Sequence, residues 1–295
     1  MSAARDRGPR RPTPVAQVRA TVRASAGASV ADRVPDGYQR IGRVVVVRLP
    51  EALRPAFPLI GEAYRSALGV ESVLRHAGPV SGELRGPALE PISGGSTETT
   101  VLEHGIRFRF DAREVLFARG NKSERHRFGH LVRRGETVVD LFAGIGYFTL
   151  PALVEGGAGT VHAVEKNPVS FGYLVENLAL NRVADRARPH LGDNREVALP
   201  IGGADRAVLG YLPSALPFVP TALPLLRPDG GWLHVHLIVG TREGPEGAGR
   251  RARSAVVAEG GSVEELEAHE VKPYGPGRLH AVVDFRVVPA AAERR

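Results

Sequence analysis

The segment Val138-Val139-Asp140-Leu141-Phe142-Ala143-Gly144-Ile145-Gly146 reads as a β-strand running into a glycine turn, and Tyr147-Phe148-Thr149-Leu150 opens a helix. Glycines at 144 and 146 let the backbone approach a ligand closely, and the start of a helix offers free N–H groups. Alone, such a turn suits an unliganded strand-to-helix connection equally well. Glu165 stands 19 residues beyond Gly146, at the end of the next strand, where a carboxylate accepts hydrogen bonds from both hydroxyls of a ribose. Gly192-Asp193-Asn194-Arg195 follows the third strand, and Asp193 there suits an adenine amino group. Together the three segments point to an adenine nucleoside. Thr149 occupies the place of the third glycine of a dinucleotide fingerprint, and Asp140 lies inside the strand where dehydrogenases carry an apolar residue. Both features favour S-adenosylmethionine over a nicotinamide cofactor, with Asp140 near its amino-acid end.

A second constellation precedes the glycine turn. Arg119, Asn121, Lys122, Glu124 and Arg125 lie in a Gly-Asn-bearing loop expected over the pocket. Arg119 and Lys122 suit a cofactor carboxylate or a substrate phosphate. Glu124 either relays a proton or orients a cation, or it is a helix-face acid paired with Lys122 or Arg127. Asn121 either touches substrate or caps the following helix. Tyr211 after the fourth strand is read as stacking on a base or packing in the core. His234 and His236 share one face of a strand, but no third ligand stands nearby, so no metal site is expected.

The elements that must hold these groups follow from periodicity. From Gly135 on, strand candidates Thr137 to Leu141, Thr160 to Glu165, Ala204 to Tyr211 and Gly231 to Val239 alternate with helical segments, as in a parallel α/β sheet. Leu279 to Val287 reads as a final strand after a turn at Pro273 to Gly277. Before that sheet, Val44 to Val47 and Val70 to Leu74 read as strands around a helix from Glu51 to Ala67. His104-Gly105 reads as a hairpin turn, with Arg107 and Arg109 on a solvated face. The domain reading is a basic, disordered arm over 1–35, a small α+β domain over 36–112 and a cofactor domain over 113–295. The arm reads as a nucleic-acid-seeking tail or a solvated extension.

Composition removes several chemistries. The chain has no cysteine, which excludes disulfides, thiolate zinc sites and cysteine-held iron–sulfur clusters, so S-adenosylmethionine chemistry here is polar. The net charge of +7 favours an anionic partner, although a GC-rich genome explains the abundant arginine equally well. No apolar run approaches a membrane span and the N-terminus lacks a signal-peptide core, so a cytoplasmic protein is expected.

The ordered motifs resemble a known family: Phe117 to Arg125, DLFAGIGYFTLP at 140–151, EKNP at 165–168, ENLALN at 176–181, GDNR at 192–195, LGYLPSA at 209–215 and VKPYGPG at 271–277. They are similar to those of the aminocarboxypropyltransferases of wyosine biosynthesis, relatives of the methyltransferases that act on anticodon-loop guanine in tRNA. The resemblance implies a class I methyltransferase fold, a Rossmann-like doubly wound sheet with a smaller N-terminal α+β domain. It implies transfer of the 3-amino-3-carboxypropyl group of S-adenosylmethionine to a modified guanine in tRNA, releasing methylthioadenosine. It adds Phe142, Ala143, Lys166, Asn194 and Gly210 to the cofactor-binding set, and Arg125, Tyr211 and Pro213 as substrate contacts. The methylating relatives carry Asn-x-Pro after the fourth strand, where this chain has Gly210-Tyr211-Leu212-Pro213. The transferases commonly show His-x-His-Glu after the fifth strand, where this chain has His234-Val235-His236-Leu237. Guanine methylation in tRNA and transfer to a small-molecule acceptor are the competing readings, and oligomeric state is not legible.

Overall fold

The computed structural model describes residues 12–78, 86–198 and 201–290. It divides into two compact units, residues 1–101 with 110–116, and residues 102–109 with 117–295.

The smaller unit corrects the expectation of a disordered arm. Residues 1–11 lie outside the described residues, but Pro14–Ala26 form helix α1 and Ala28–Ala31 form α2. Thr13 caps α1 by accepting from the Ala16 N–H at 3.2 Å, Pro14 opens it, and Gly27 ends it with φ 83°. Val15, Val18 and Val22 recur at helical spacing and are buried, so a stripe of apolar positions hidden among arginines supplies the missing driving force. The unit's sheet runs β1 (Tyr38–Ile41), β2 (Val44–Val47), β3 (Ser72–His76), β4 (Leu89–Gly94) in that spatial order, with β2 and β3 parallel. The connection between them is a 3-10 turn at Glu51–Ala56 followed by α3 (Phe57–Leu68). Pro55 interrupts the single helix read from sequence. Ile60 and Tyr64 of α3 pack with Val18, Val22, Val45 and Val73 as the core.

β5 (Glu98–Glu103) and β6 (Ile106–Asp111) form a hairpin that turns at His104-Gly105. Arg107 and Arg109 are both exposed on β6, as their alternation with Ile106, Phe108 and Phe110 requires.

The larger unit holds seven strands: β7 (Thr137–Asp140), β8 (Thr160–Glu165), β9 (Ala187–Leu191), β10 (Arg206–Leu209), β11 (Gly231–Gly240), β12 (Ser262–Gly275) and β13 (Arg278–Val288). Their spatial order is β12-β13-β11-β10-β7-β8-β9. β7 to β11 run parallel to one another, whereas β13 is antiparallel to β11 and β12 is antiparallel to β13. Chain order reverses between β7 and β10, and ligands of such sheets bind outside the carboxyl ends of the strands at that point. The helices are α4 (Lys122–Leu131), α5 (Thr149–Val154), α6 (Pro168–Leu180), α7 (Asn194–Val197), α8 (Val219–Ala222) and α9 (Gly244–Ala258). Strand β12 escaped the sequence reading: as an edge strand it carries Glu265, Glu267 and Glu270 with little full burial, so no apolar alternation betrays it. It places Pro273 to Gly275 within a strand, and the reversal falls at Pro276-Gly277.

Candidate active site

The glycine turn after β7 is folded from within. Gly144 and Gly146 have φ of 56° and 103°, the left-handed region that a side chain resists. Asp140 is fully buried: Oδ1 accepts from the Phe142 N–H, and Oδ2 from the Thr149 N–H at 3.1 Å and hydroxyl at 2.8 Å. Burial pushes its carboxyl up to about 7 against these donors. Its oxygens therefore brace the turn and the start of α5 from within. The Thr149 N–H at the helix start is closed by Asp140, and the Gly144 N–H of the turn by Glu165.

Glu165 at the end of β8 joins the second strand to this turn. Its Oε2 accepts from Gly144 N–H and its Oε1 from Asn167 N–H, each at 2.7 Å. Burial raises its pKa, while the backbone N–H groups of Asn167, Gly144 and Lys166 oppose that rise. The ENLALN motif also serves the turn. Asn177 on α6 donates to the carbonyls of Ile145 and Arg109 and accepts from the Arg109 N–H, while Asn181 brackets Arg107 in the same way.

After β9, Asp193 caps α7 through the Arg195 N–H and pairs with the side chains of Arg195 and Lys166. The hydrogen bond from Arg195 leads in holding its carboxyl well below the usual range. The expected adenine acceptor is thus engaged by two cations, one of them Lys166. Asn194 beside it is buried, donates to the Leu141 carbonyl at 3.0 Å and leaves Oδ1 without a partner.

The loop after β10 brings aromatic surface to the same strand ends. Tyr211 stacks on Phe142 with centroids 5.1 Å apart, and Phe218 meets both rings edge-on. Tyr211 is thus packed on these rings yet only half-buried. Gly210 lies against Phe148, where a Cβ would meet the ring at 2.8 Å, and Pro213 is exposed. The Ala215 N–H donates to the His236 carbonyl, tying this loop to β11.

The constellation before the turn divides. Arg119 and Lys122 are exposed. Arg125 is 3 % exposed; its guanidinium pairs with Glu103 Oε2 at 2.6 Å, donates to the Ala118 carbonyl and lies over the rings of Phe117 and Tyr147. The substrate contact expected of Arg125 thus falls on a buried guanidinium already paired with Glu103. Glu124 is also buried, between Arg127 and His269 Nε2. Burial works to raise its pKa, but those two partners hold it down to about 2. The pairing with Arg127 is the helix-face alternative, and His269 from β12 is the partner the sequence did not disclose. Asn121 occupies the cap position of α4 without a side-chain capping bond, and its Oδ1 is buried and unpartnered.

Two histidine pairs follow on β11. His234 donates from Nδ1 to Asp284 and accepts from Arg206 at Nε2, so the pattern assigns it neutral, and burial lowers its pKa. Asp284 also pairs with Arg127. This is a structural histidine. His236 differs: its Nδ1 lies 3.0 Å from Nε2 of His280 on β13, while His236 Nε2 and His280 Nδ1 are buried without partners. Burial drives His236 down to about 4 and His280 down to about 3, so both are neutral near pH 7. His236 packs on Phe148 at 4.9 Å, and His280 is in register with Lys272 of β12. Lys272 is half-buried against Gly120, its pKa lowered by burial and by Arg125. Among the described residues no acidic side chain pairs with it. Sequence reading missed Lys272, His269 and His280, although VKPYGPG marked the first of them.

Unpartnered buried polar atoms each cost roughly 1–3 kcal/mol. Four of them belong to Asn121, Asn194, His236 and His280, on or beside the elements that carry the glycine turn, Glu165 and Gly210. A polar ligand with a sugar, a base and a charged amino-acid tail fits this donor and acceptor set.

Comparison with known proteins agrees with the geometry. A profile described as the TRM5/TYW2 methyltransferase domain matches residues 99–260, and one for the TYW2 N-terminal domain matches residues 18–97. The tRNA(Phe) (4-demethylwyosine(37)-C(7)) aminocarboxypropyltransferase of Pyrococcus horikoshii is 37 % identical over 254 residues, covering 86 % of this chain and 90 % of that protein. The crystal structure of P. horikoshii TYW2 in complex with MeSAdo superposes with a TM-score of 0.81 at 33 % identity, covering 93 % of this chain and 99 % of the other. That of M. jannaschii TYW2 in complex with AdoMet gives 0.70 at 30 % identity, covering 86 % and 100 %.

Proposed function

The chain belongs to the TRM5/TYW2 methyltransferase-domain family, and from that membership we propose that it transfers the 3-amino-3-carboxypropyl group of S-adenosylmethionine to C7 of 4-demethylwyosine in tRNA. When bound, S-adenosylmethionine supplies an electrophilic methylene carbon beside its sulfonium. A new carbon–carbon bond forms there, the carbon–sulfur pair returns to sulfur, methylthioadenosine leaves, and the ring gives up the proton of C7 to regain aromaticity.

The residues divide the work. Glu165 receives the ribose hydroxyls, and the turn that Asp140 and Asn177 brace leaves room for the nucleoside. Asp193, Asn194 and Lys166 border the adenine. Arg119, Lys122 and Lys272 offer cations to the cofactor carboxylate or an RNA phosphate. Tyr211 offers a ring face to the base. His236 accepts the C7 proton at Nε2, its Nδ1 held by His280 Nε2, with Glu124 and Asn121 holding this side of the pocket.

One observation carries the choice of transferred group: the loop after β10 opens with Gly210 and Tyr211, which give stacking surface but no side-chain amide to hold a guanine nitrogen for methylation. The placement of the methylene instead of the methyl in line with the nucleophile then decides the product, an orientation effect of many kcal/mol. The acceptor is tested by offering tRNA that bears the tricyclic precursor, unmodified tRNA and the free nucleoside. Nucleoside analysis by mass spectrometry should find the added group only with the first. Equal turnover of the free nucleoside, or modification of unmodified tRNA, contradicts the assignment.

A further inference from the structure

Away from these strand ends, the larger unit gathers imidazoles and a carboxylate that the transfer reaction does not use. His104 stands at the tip of the β5–β6 hairpin, His126 and His130 lie one turn apart on α4, and Glu155 follows α5. One ligand atom from each of His104, His126 and Glu155 lies within 4.8 Å of the others. The His104 and His126 rings stack at 3.8 Å with 6° between planes, and His130 is 4.2 Å from His126. His126 Nδ1 contacts Glu155 Oε1 at 2.8 Å, yet Glu155 Oε2 is buried without a partner in a side chain only 9 % exposed. His104 holds a left-handed backbone, φ 47°, which a non-glycine residue adopts at some cost, and its ring has no hydrogen-bond partner among the described residues.

We propose that His104, His126 and Glu155, with His130 adjacent, form a zinc-type divalent metal site. Imidazole nitrogen and one carboxylate are a donor set for Zn²⁺ and its late first-row neighbours, whereas Mg²⁺ and Ca²⁺ prefer all-oxygen cages. The present separations are those of a hydrogen bond and a ring stack, so an ion enters by displacing the His126–Glu155 bond and fanning the two rings apart. His104 can follow because it is exposed on a turn. The ion would tie the hairpin tip to α4 and to the end of α5, beside the Glu103–Arg125 pair that already links hairpin and helix. α4 carries Glu124 and Arg127, and α5 begins at the Thr149 that Asp140 holds, so the clamp would brace two walls of the active site. The ligands are scattered between positions 104 and 155, which is why no spacing motif announces them.

The test uses the full chain, free of any histidine tag and stripped with chelator, titrated with Co²⁺ and separately with Zn²⁺ against a chromophoric chelator. One equivalent per chain is expected, with the visible absorption of four- or five-coordinate cobalt and a Zn²⁺-dependent rise in Tm. His126→Ala and Glu155→Gln should each weaken binding by about 100-fold, as loss of a direct ligand must cost at least what loss of its supporting hydrogen bond does. His162→Ala, in the separate His162–His190 pair, should not. Circular dichroism checks that the variants fold, and His104→Ala on the exposed turn repeats the test where a helix variant does not. No stoichiometric binding to the folded wild type, or binding undiminished in the ligand variants, overturns the site. Either result leaves the transferase reading untouched, because the readout is the metal itself.

Discussion

At the scale of single residues, Glu165 has two tasks that one substitution separates. Its carboxylate closes the Gly144, Asn167 and Lys166 N–H groups internally, and in the proposed function it also receives the ribose. Hydrogen bonds to a charged group contribute about 1.5–3 kcal/mol, so Glu165→Ala should weaken S-adenosylmethionine binding roughly 10- to 100-fold by calorimetry. An unchanged affinity in the folded variant removes Glu165 from the pocket. His236 makes the complementary prediction. General-base contributions of about 10²–10⁴ lead us to expect a kcat loss of at least about 100-fold in His236→Asn with cofactor affinity nearly unchanged. A variant that loses cofactor affinity and keeps kcat would make this histidine a packing residue. Arg125 shows what residue types alone leave out: the sequence offers a cation in a Gly-Asn-bearing loop, and the fold reveals Glu103 as its partner.

Elements were legible where burial is two-sided and periodic. Val44 to Val47 was a strand on sight because all four side chains are buried, and the β7 and β8 segments declared themselves by the same means. α1 and β12 were not legible, for opposite reasons. α1 hides its valine stripe among arginines and is held by tertiary packing, while β12 is an edge strand whose polar faces carry no alternation. The cost fell on the site, because β12 brings His269 and Lys272 to it and its partner β13 brings His280. The glycine turn forms as the strand-to-helix connection read from sequence, with the Gly144 N–H serving Glu165 and the Thr149 N–H serving Asp140. That turn predicts its own fragility. In Gly146→Ala a Cβ would face Leu150 carbons at 2.9 Å from a backbone with φ 103°. We expect a loss of about 1–3 kcal/mol in denaturant unfolding, together with weakened cofactor binding. A variant of wild-type stability would show that the turn tolerates another conformation.

For the molecule as a whole, the buried polar network sets the response to acid. His236 and His280 are neutral when folded, held down to about 4 and about 3 by burial, with Glu124 and Asp284 opposing and His234, Arg127, Lys272 and His269 assisting. Unfolded histidine takes its proton near ~6.5, so the stability these two contribute is full above that pH and is lost as pH falls toward 4. Asp140, raised to about 7, works the other way and offsets part of the loss over the same window. His280→Asn should therefore flatten the acid limb of the stability curve by about 1.4 kcal/mol per pH unit below pH 6.5, one proton's worth, as urea midpoints at several pH values would show. An unaltered slope would mean that His280 is not buried as described. Among the described residues no helix is long and apolar enough to cross a membrane. With the net charge of +7, an anionic macromolecular acceptor such as tRNA is the natural partner. The identity of the transferred carbon of the sulfonium separates aminocarboxypropyl transfer from methylation. Turnover on precursor-bearing tRNA with S-adenosylmethionine labelled separately in its methyl and carboxyl carbons measures that directly. Carboxyl label in the tRNA with release of methylthioadenosine is the predicted result, and methyl label in the tRNA with release of S-adenosylhomocysteine would contradict it.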